Sequence, residues 1–402
     1  MVSIFVESLL LIVATCLFIP ILILFIECWA ALLLPQTRPR GTSYSPNLKV
    51  LMPAHNEAAG IGPILATIVP QLPSPDHLIV VADNCSDNTA EIVRNYGATA
   101  IERTDLDRRG KGYALDYGLS FMQSDAPETV VLVDADCFVE PGTIEKIAQL
   151  SATTNRPVQA VYLMEQPAKP KPKDAVSALA FLVKNLVRPT GLARLGFPCL
   201  LTGTGMAFPW ATLQKISLAS GNIVEDMQLG IDLAIAGYSP ILCSNAKVIG
   251  RLPQQDQAAK SQRERWEHGH LQTLLTQVPR LLKAALQQRR LHLLGIALDL
   301  SVPPLSLLVM LWLAFLMLAI VATLLKVSSG LPILLGAIQG GLILSAILGA
   351  WAKFGRTYLP AQTLLAVPFY VLWKIPLYLA FLVKRQTKWV RTDRDPVDTT
   401  DS

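Results

Sequence analysis

The chain has 402 residues, of which 51% are hydrophobic and only 16% are charged, and its mean hydropathy is +0.40. An entirely soluble enzyme of this size would be more polar, so the composition predicts membrane segments. The net charge of +5 is scattered along the chain, with no basic run interleaved with aromatics, which argues against nucleic acid as a partner and fits an anionic lipid surface better.

The N-terminal segment, residues 1–36, is predicted to form a transmembrane helix. Residues 4–34 are almost continuously apolar, and about 20 such residues are enough to cross a bilayer. The stretch is too long for the apolar core of a signal peptide. Because Arg38 and Arg40 follow it, the positive-inside rule predicts that the chain continues on the cytoplasmic side.

Residues 47–250 have the pattern of a soluble α/β domain. Four short apolar runs predict buried strands at Leu48–Met52, His77–Ala82, Thr129–Val133 and Val158–Met164. Helix-like stretches such as Asn88–Asn95 and Gly112–Met122 lie between them. Alternating strands and helices predict the α/β class, with a doubly wound, mostly parallel sheet covered by helices on both faces.

Two leucine-rich segments, residues 174–195 and 265–291, carry basic residues beside an apolar face. This pattern is typical of helices that lie in the headgroup layer of a membrane. An amphipathic helix packed on a protein core has the same pattern, and the sequence leaves both interpretations open.

The C-terminal part predicts further membrane segments. Residues 296–325 and 331–351 are expected to span the bilayer. Residues 361–383 are also apolar, but basic residues flank them on both sides, which favours an interfacial or re-entrant segment over a fourth crossing. Three spans place the polar tail, residues 384–402, on the cytoplasmic side, and four place it outside.

The strongest chemical signal is a pair of carboxylates at the end of a buried strand. Asp134 and Asp136 follow the apolar run Val130–Val133, and ligands of open α/β sheets bind at the carboxyl ends of strands. Two carboxylates suit Mg²⁺ or Mn²⁺, which would bridge a diphosphate and stabilise its growing charge as a sugar leaves. A solvated turn can carry the same triplet, so the other motifs decide between the two interpretations.

Polar residues also follow the first two predicted strands, where Glu57 ends the sequence Pro-Ala-His-Asn-Glu and Asp83 begins the sequence Asp-Asn-Cys-Ser-Asp. A nucleotide bound at this edge of the sheet would lie among them. Lys111 stands between two glycines at a predicted helix start. That arrangement suits phosphate, because the backbone can approach closely and the helix N-terminus is positive.

Two later motifs point to the acceptor. Glu225 and Asp226 precede an amphipathic run; they are either ordinary acidic residues of a first helical turn or a general base that takes the proton of a sugar hydroxyl. The sequence Gln262-Arg263-Glu264-Arg265-Trp266 opens the next helix. An arginine of this sequence, which contains both Arg263 and Arg265, can neutralise a diphosphate. Trp266 can stack on a sugar or anchor the helix at a membrane interface.

The six motifs PAHNE, ADNCSD, GKG, DAD, ED and QRERW, in this order, resemble glycosyltransferase family 2. They are most similar to its membrane-integrated branch, which contains cellulose, hyaluronan and chitin synthases and ceramide glucosyltransferase. The resemblance covers about residues 45–290 and the flanking spans. It implies a cytoplasmic domain of the GT-A fold at 45–255 and a segment at 256–295 that holds the QxxRW motif and interfacial helices.

The resemblance also implies a role for each motif residue. The residues implied to bind the nucleotide-sugar donor are Glu57, Asp83, Lys111, Asp134 and Arg265. Those implied to hold Mg²⁺ or Mn²⁺ are Asp134 and Asp136. Asp226 is implied to be the catalytic base, with Glu225 supporting it. Those implied to line the acceptor site are Gln262, Trp266, Thr202 and Gly203.

The reaction implied is an inverting single displacement from a nucleotide sugar, with UDP as the expected nucleotide, at the cytoplasmic face of the cell membrane. The preferred acceptor is a growing polysaccharide, and the alternative is a membrane lipid that receives one sugar. The chain departs from the family pattern at Ala82-Asp83, where the family commonly has two aspartates. It also has few predicted spans, so export partner proteins are expected if the product is a secreted polymer.

Overall fold

The computed structural model describes residues 2–35, 44–167, 170–216, 218–219, 224–252, 256–357 and 359–383. The predicted polar tail, residues 384–402, lies outside them, as do Arg38 and Arg40. The chain forms two compact units. The helical unit comprises Met1–Gln36, Pro170–Gly196 and His270–Arg385, and the sheet unit comprises Thr37–Lys169, Phe197–Gly269 and Gln386–Ser402.

The sheet unit contains one sheet of eight strands. The strands are β1 (Leu48–Ala54), β2 (Leu78–Asp83), β3 (Thr99–Arg103), β4 (Thr129–Leu132), β5 (Cys137–Val139), β6 (Val158–Glu165), β7 (Met206–Pro209) and β8 (Ile241–Arg251). Their order across the sheet is β3-β2-β1-β4-β7-β6-β8-β5. The four predicted strands are therefore confirmed, with ends shifted by one or two residues.

The sheet is mixed. Strands β3, β2, β1 and β4 run parallel, as do β6 and β8, whereas β7 is antiparallel to both β4 and β6, and β5 is antiparallel to β8. The predicted α/β class is confirmed, and each of the four predicted strands, β1, β2, β4 and β6, takes part in at least one parallel pair. Because β1 lies between β2 and β4, the residues after these three strands share one edge of the sheet.

Helices connect the strands of the sheet unit. They are α2 (Ile61–Ile68), α3 (Thr89–Asn95), α4 (Lys111–Met122), α5 (Thr143–Thr154), α8 (Trp210–Leu213) and α9 (Glu225–Ile235). Helix α4 lies very close to β1, since a Cβ added at Gly118 would be 2.4 Å from a methyl carbon of Leu51. Leu115 of α4 and Leu233 of α9 are buried in the same apolar core as Phe208 of β7. This core fixes the helices whose first residues, Lys111 and Glu225, carry predicted functions.

The remaining helices supply the helical unit. They are α1 (Val2–Leu33), α6 (Pro172–Leu182), α7 (Arg188–Arg194), α11 (Leu291–Ser301), α12 (Leu305–Leu324), α13 (Leu331–Ala350), α14 (Val367–Trp373) and α15 (Ile375–Val383), while α10 (Asp256–Gln288) contributes residues to both units. Among the described residues, four segments are long and apolar enough to cross a membrane: Val2–Leu33, Leu305–Leu324, Leu331–Gly355 and Leu364–Phe381.

Two predicted helices differ from the structure. The apolar stretch 296–325, predicted as one span, is not one continuous helix, because α11 ends at Ser301 and α12 begins at Leu305. Its part Leu305–Leu324 is long and apolar enough to cross a membrane. Pro303 and Pro304 lie between α11 and α12 and cannot continue a helix that precedes them. The segment predicted at 174–195 is helical throughout, but a π-helical turn at Val183–Val187 separates α6 from α7.

A buried ion triad lies inside the helical unit. The guanidinium of Arg188 donates to Glu27 Oε2 of α1 at 2.6 Å and to Asp299 Oδ1 of α11 at 2.5 Å. Helices α1 and α7 touch at this level, since a Cβ added at Gly191 would be 1.9 Å from the carbonyl oxygen of Glu27. The three charged side chains are each less than one-tenth exposed. Their charges stabilise one another only while all are present.

We expect Arg188→Met to destabilise the fold strongly, because it leaves two carboxylates buried without their cation. Breaking a buried pair in this way costs about 3–5 kcal/mol. The measurement is the thermal unfolding midpoint in detergent. A matched control is Arg94→Met, which removes a surface pair whose side chains are 51% and 62% exposed and should cost less than about 1 kcal/mol. Equal midpoints for the two variants would contradict the assignment.

Candidate active site

Lys111 lies at the centre of a polar cluster in the sheet unit. Helix α4 begins at this residue, directly after Gly110, whose φ of 133° is readily available only to glycine. The Lys111 Nζ atom lies 2.5 Å from Asp134 Oδ1 and 3.8 Å from Glu225 Oε1. It also donates a hydrogen bond of 2.6 Å to the carbonyl oxygen of Gly203. Residues from three separate segments of the chain therefore converge on one ammonium group.

Asp226 belongs to the same cluster. A Cβ added at Gly203 would lie 3.2 Å from Asp226 Oδ2 and 3.7 Å from Lys111 Nζ. Glu225 and Asp226 form the first turn of α9, where the helix dipole favours negative charge. The predicted alternatives for this pair are thus compatible, because the carboxylates stand in a first helical turn and also face the site.

The electrostatics of the cluster are dominated by excess negative charge in a largely buried place. Burial raises the pKa of Glu225 to about 7, opposed by the Lys111 charge and assisted by Asp226. Burial also raises the pKa of Asp134 above its ordinary value, although Lys111 again opposes the shift. For Lys111 itself burial lowers the pKa, but the surrounding carboxylates outweigh burial and the net pKa is raised. Lys111 therefore stays charged and does not balance the carboxylates alone.

The carboxylates after β4 fit a hard divalent cation. One oxygen each of Asp134 and Asp136 and the Cys137 sulfur lie within 4.8 Å of one another. Mg²⁺ and Mn²⁺ prefer oxygen ligands and need only one or two carboxylates besides substrate phosphates. Cys137 is an unsuitable ligand, because it is buried and its pKa is raised well above the ordinary value by that burial. Its S–H instead donates to Asp136 Oδ1 at 3.3 Å.

The other end of the site lies at the carboxyl ends of β1 and β2. Asp83, the last residue of β2, is buried, and its Oδ1 accepts hydrogen bonds from Arg103 at 2.6 Å and from the Asn84 side chain at 3.1 Å. Glu57 follows β1, and its backbone N–H donates to Thr89 Oγ1 at 2.9 Å. The topology thus places both predicted nucleotide-binding residues at the edge that also carries Asp134.

Sequence reasoning missed Arg103. It is buried at the end of β3, where its guanidinium bonds Asp83, the carboxylate of Asp105 and the backbone oxygen of Arg108. The signal was available in principle, since residues 99–103 form another parallel strand and a charged residue at its carboxyl end falls at the same edge as Asp83. The strand was not predicted because residues 99–103, with the sequence TAIER, mix polar and apolar side chains.

The predicted acceptor residues lie on two elements. Thr202 and Gly203 precede β7, and the Thr202 hydroxyl is buried without a partner among the described residues. Gln262 is also buried, and its Oε1 has no partner in the described chain. Arg265 and Trp266 are half-buried one turn further along α10. Buried polar atoms of this kind are costly unless a ligand or water satisfies them.

Helix α10 contacts the residue that precedes the predicted catalytic pair, Glu225 and Asp226. A Cβ added at Gly269 would be 2.6 Å from a methyl carbon of Val224, the residue before Glu225. Residues three, four and seven positions apart share a helix face, so Gln262, Arg265 and Trp266 lie toward the same side of α10 as Gly269. The helix that carries the QRERW sequence is therefore in contact with the first turn of α9.

Comparison with known proteins identifies a family and proteins of similar sequence or fold. A family model described as "Glycosyltransferase like family 2" matches residues 46–269, which is more than half of the chain. The 4,4'-diaponeurosporenoate glycosyltransferase of Staphylococcus aureus (strain bovine RF122 / ET3-1) is 32% identical over 104 residues, which cover 21% of this chain and 27% of that protein. The chain thus spans about a quarter of the length of this curated relative.

Two solved structures are similar to this chain to different degrees. The mannosyltransferase PcManGT from Pyrobaculum calidifontis, solved in complex with GDP-Man and Mn²⁺, superposes with a TM-score of 0.55 at 22% identity and covers 92% of this chain and 99% of its own. Glucosyl-3-phosphoglycerate synthase from Mycobacterium tuberculosis, solved with Mn²⁺ and UDP, gives a TM-score of 0.39 at 20% identity over 58% of this chain and 84% of its own. At this identity, the first of these likenesses establishes the architecture alone.

Proposed function

Because the chain belongs to the family of glycosyltransferase-like family 2 proteins, we propose that it transfers a sugar from a nucleotide sugar to an acceptor hydroxyl with inversion at the anomeric carbon. The observation that carries the proposal is the convergence of Lys111, Asp134 and Asp226 around Gly203. A cation, a candidate metal ligand and a candidate base are groups that such a displacement requires.

Asp226 would act as the general base. The acceptor oxygen forms a bond to C1 of the sugar, the proton of its hydroxyl passes to Asp226, and the C1–O bond breaks with its electron pair leaving on the diphosphate. Glu225 stands beside Asp226, and its pKa of about 7 allows it to be partly protonated at neutral pH. It then lowers the charge repulsion around the base.

Asp134 and Asp136 would hold Mg²⁺ or Mn²⁺; the mannosyltransferase of similar fold was solved in complex with GDP-Man and Mn²⁺. When bound, such a cation neutralises charge on the departing diphosphate. Lys111, now paired with Asp134 at 2.5 Å, would add a second positive group on the same side. Arg265, on the α10 face that contacts Val224, would supply a third.

The surroundings of Asp83 support UDP as the nucleotide. Its Oδ1 already accepts two hydrogen bonds, from Arg103 and Asn84, which fills both lone pairs of that oxygen. One oxygen then remains for a base. Uracil offers a single N–H on its pairing edge, whereas guanine offers two adjacent donors that need both oxygens of a carboxylate. Glu57, after the neighbouring strand, would contact the nucleoside from the β1 side.

Two acceptors have separate support. The QRERW sequence and the flanking helices resemble polysaccharide synthases, which favours a growing polysaccharide at the cytoplasmic membrane face. The matched relative is named a 4,4'-diaponeurosporenoate glycosyltransferase and not a polysaccharide synthase, which favours the alternative, a single transfer to a membrane lipid. In either case the four apolar segments would anchor the enzyme in the membrane, and Gln262, Trp266, Thr202 and Gly203 would contact the acceptor.

The test is a donor screen with product analysis. Purified protein in detergent receives Mn²⁺, native lipid extract and radiolabelled UDP- or GDP-sugars. We expect at least about tenfold faster release of nucleotide from one UDP-sugar, because losing one hydrogen-bond match at a buried base site costs about 1–3 kcal/mol. A preference for a GDP-sugar would refute the role given to Asp83, and no transfer from any donor would refute the function.

The same reaction separates the acceptors. An alcohol-insoluble product identifies a polymer, and a chloroform-soluble product identifies a lipid. The anomeric configuration of the product, read by nuclear magnetic resonance, decides whether the reaction inverts. Retention of configuration at C1 would contradict a single displacement in which Asp226 acts as the general base.

A further inference from the structure

Gln159 is a buried amide inside β6 that bonds only to backbone groups. It is 2% exposed. Its Nε2 donates to the carbonyl oxygens of Ala160 at 2.8 Å and Thr204 at 2.9 Å, with Gly205 at 3.5 Å, while its Oε1 accepts from the backbone N–H of Thr202 at 2.8 Å. A single side chain thus ties together both ends of the segment 202–205, which we call the glycine loop.

The glycine loop needs such a tie because its backbone is unusual. Gly203 and Gly205 have φ values of 95° and 63°. Glycine adopts positive φ values without steric cost, but it also loses more conformational entropy than other residues when it is held in one conformation. The carbonyl oxygen of Gly205 also accepts a hydrogen bond of 2.8 Å from the backbone N–H of Ala160, the residue after Gln159. Gln159 and its neighbour therefore hold the loop against β6.

What the glycine loop carries gives this tie a functional meaning. The Gly203 carbonyl accepts from Lys111 Nζ at 2.6 Å, and the Thr204 hydroxyl accepts from the backbone N–H of Asp134 at 3.1 Å. Gly203 also faces Asp226, since an added Cβ would be 3.2 Å from its Oδ2. One short loop thus touches the cation, a metal ligand and the base.

We propose that Gln159 is a positioning residue for sugar transfer, which sets the glycine loop so that Lys111, Asp134 and Asp226 keep their mutual geometry. The inference rests on the function proposed above. Gln159 touches no reacting atom and acts through the loop. Its effect should fall on the chemical step, because a displacement of about 1 Å in reacting groups can cost about 100-fold in rate. Asp83 and Glu57 bind the nucleotide from other strands and should be unaffected.

Gln159→Glu is the sharpest test, since it replaces the donating NH₂ by an oxygen of the same size that faces two carbonyl oxygens. We expect kcat, expressed per UDP-binding site, to fall about 10- to 100-fold, while the dissociation constant for UDP changes less than about threefold. Lowering the pH should restore part of the activity of this variant relative to the parent, because a protonated carboxyl can donate one hydrogen bond again.

Gln71→Glu is the matched control. The Gln71 Nε2 likewise donates to two backbone carbonyls, those of Thr67 at 2.6 Å and Val139 at 3.2 Å, but none of them belongs to the glycine loop. This variant should lose stability while keeping kcat per site within about threefold. Gln159→Leu provides a second measurement, in which hydrogen–deuterium exchange of a peptide covering residues 200–206 should speed up relative to the parent.

The outcomes separate the two hypotheses. A parent protein without transfer activity overturns the proposed function. An active parent with Gln159→Glu at parental kcat per site overturns the positioning role alone, as does an equal loss of kcat in Gln71→Glu. Unchanged exchange at 200–206 in Gln159→Leu shows that the loop does not depend on Gln159 and rejects the inference independently of activity.

Discussion

Replacing Asp226 by asparagine should lower kcat for sugar transfer by about 100- to 10,000-fold, the range that a positioned general base contributes. The amide has the size of the carboxylate and keeps a polar group facing Gly203, but it cannot take the proton of an attacking hydroxyl. The measurement is nucleotide release at saturating donor and acceptor. Nucleotide binding, measured by calorimetry, should stay within about threefold, because Asp83 and Glu57 are untouched.

Asp232→Asn is the control for this variant. Asp232 lies on the same helix, α9, and accepts hydrogen bonds of 3.0 Å from the Gln228 side chain. The substitution removes one charge from the helix, as Asp226→Asn does, at a position two turns further from its N-terminus. It should retain parental kcat within about threefold. Full turnover by Asp226→Asn would assign the base elsewhere, with Glu225 as the next residue to replace.

The part of the fold that the sequence predicts is the part whose strands are buried on both faces. Most positions of β1, β2, β4 and β6 are buried, on both faces of the sheet, and a strand buried on both faces reads as a continuous apolar run. β5 was missed since its three residues are too few for a periodic pattern. β7 was missed since it is a four-residue run that ends in a proline, and proline argues against a strand. β8 was missed since its residues alternate in burial and include a serine, an asparagine and a lysine. It is identified as a strand only by its pairing with β6 and β5 in the folded sheet.

The site divides in the same way. Lys111, Asp134 and Asp226 can be recognised locally, because each stands where a helix begins or a strand ends and is flanked by a characteristic pattern. Gln159 cannot, since it is a single amide in an apolar strand and its partners are 43 to 46 residues away in sequence. A residue whose role is to hold another segment leaves no pattern around itself. Only the folded chain brings its partners together.

The helical unit shows a conflict between two local signals. Residues 296–325 are apolar enough to suggest one continuous helix. Pro303 and Pro304 disfavour a continuous helix, and the structure has a break at these prolines, between α11 and α12. Hydropathy indicates only that the side chains of a segment prefer an apolar environment. Proline determines backbone conformation directly, because it lacks the N–H donor and its ring clashes with the preceding helical turn. Chain stereochemistry therefore outweighed the apolar pattern in locating the break between α11 and α12.

Replacing Asp136 by alanine should remove the response to divalent cations together with activity. Asp136 is the cleaner of the two candidate ligands to change, because Asp134 also pairs with Lys111 at 2.5 Å and its loss would disturb that ammonium group. A cation that neutralises a leaving diphosphate contributes several kcal/mol to the transition state, so we expect kcat to fall at least about 100-fold. Added Mn²⁺ should no longer raise the rate.

Binding of Mn²⁺ supplies a measurement that does not depend on turnover. Electron paramagnetic resonance of free Mn²⁺ in the presence of protein and UDP should show weaker binding to Asp136→Ala by at least about tenfold, since one of two carboxylate ligands is gone. Asp125→Ala is the control, because that carboxylate is 82% exposed and pairs with Lys49; it should bind Mn²⁺ as the parent does. Unchanged Mn²⁺ affinity in Asp136→Ala would place the cation at another group of ligands, and Lys111 would then be the principal positive charge beside Asp134.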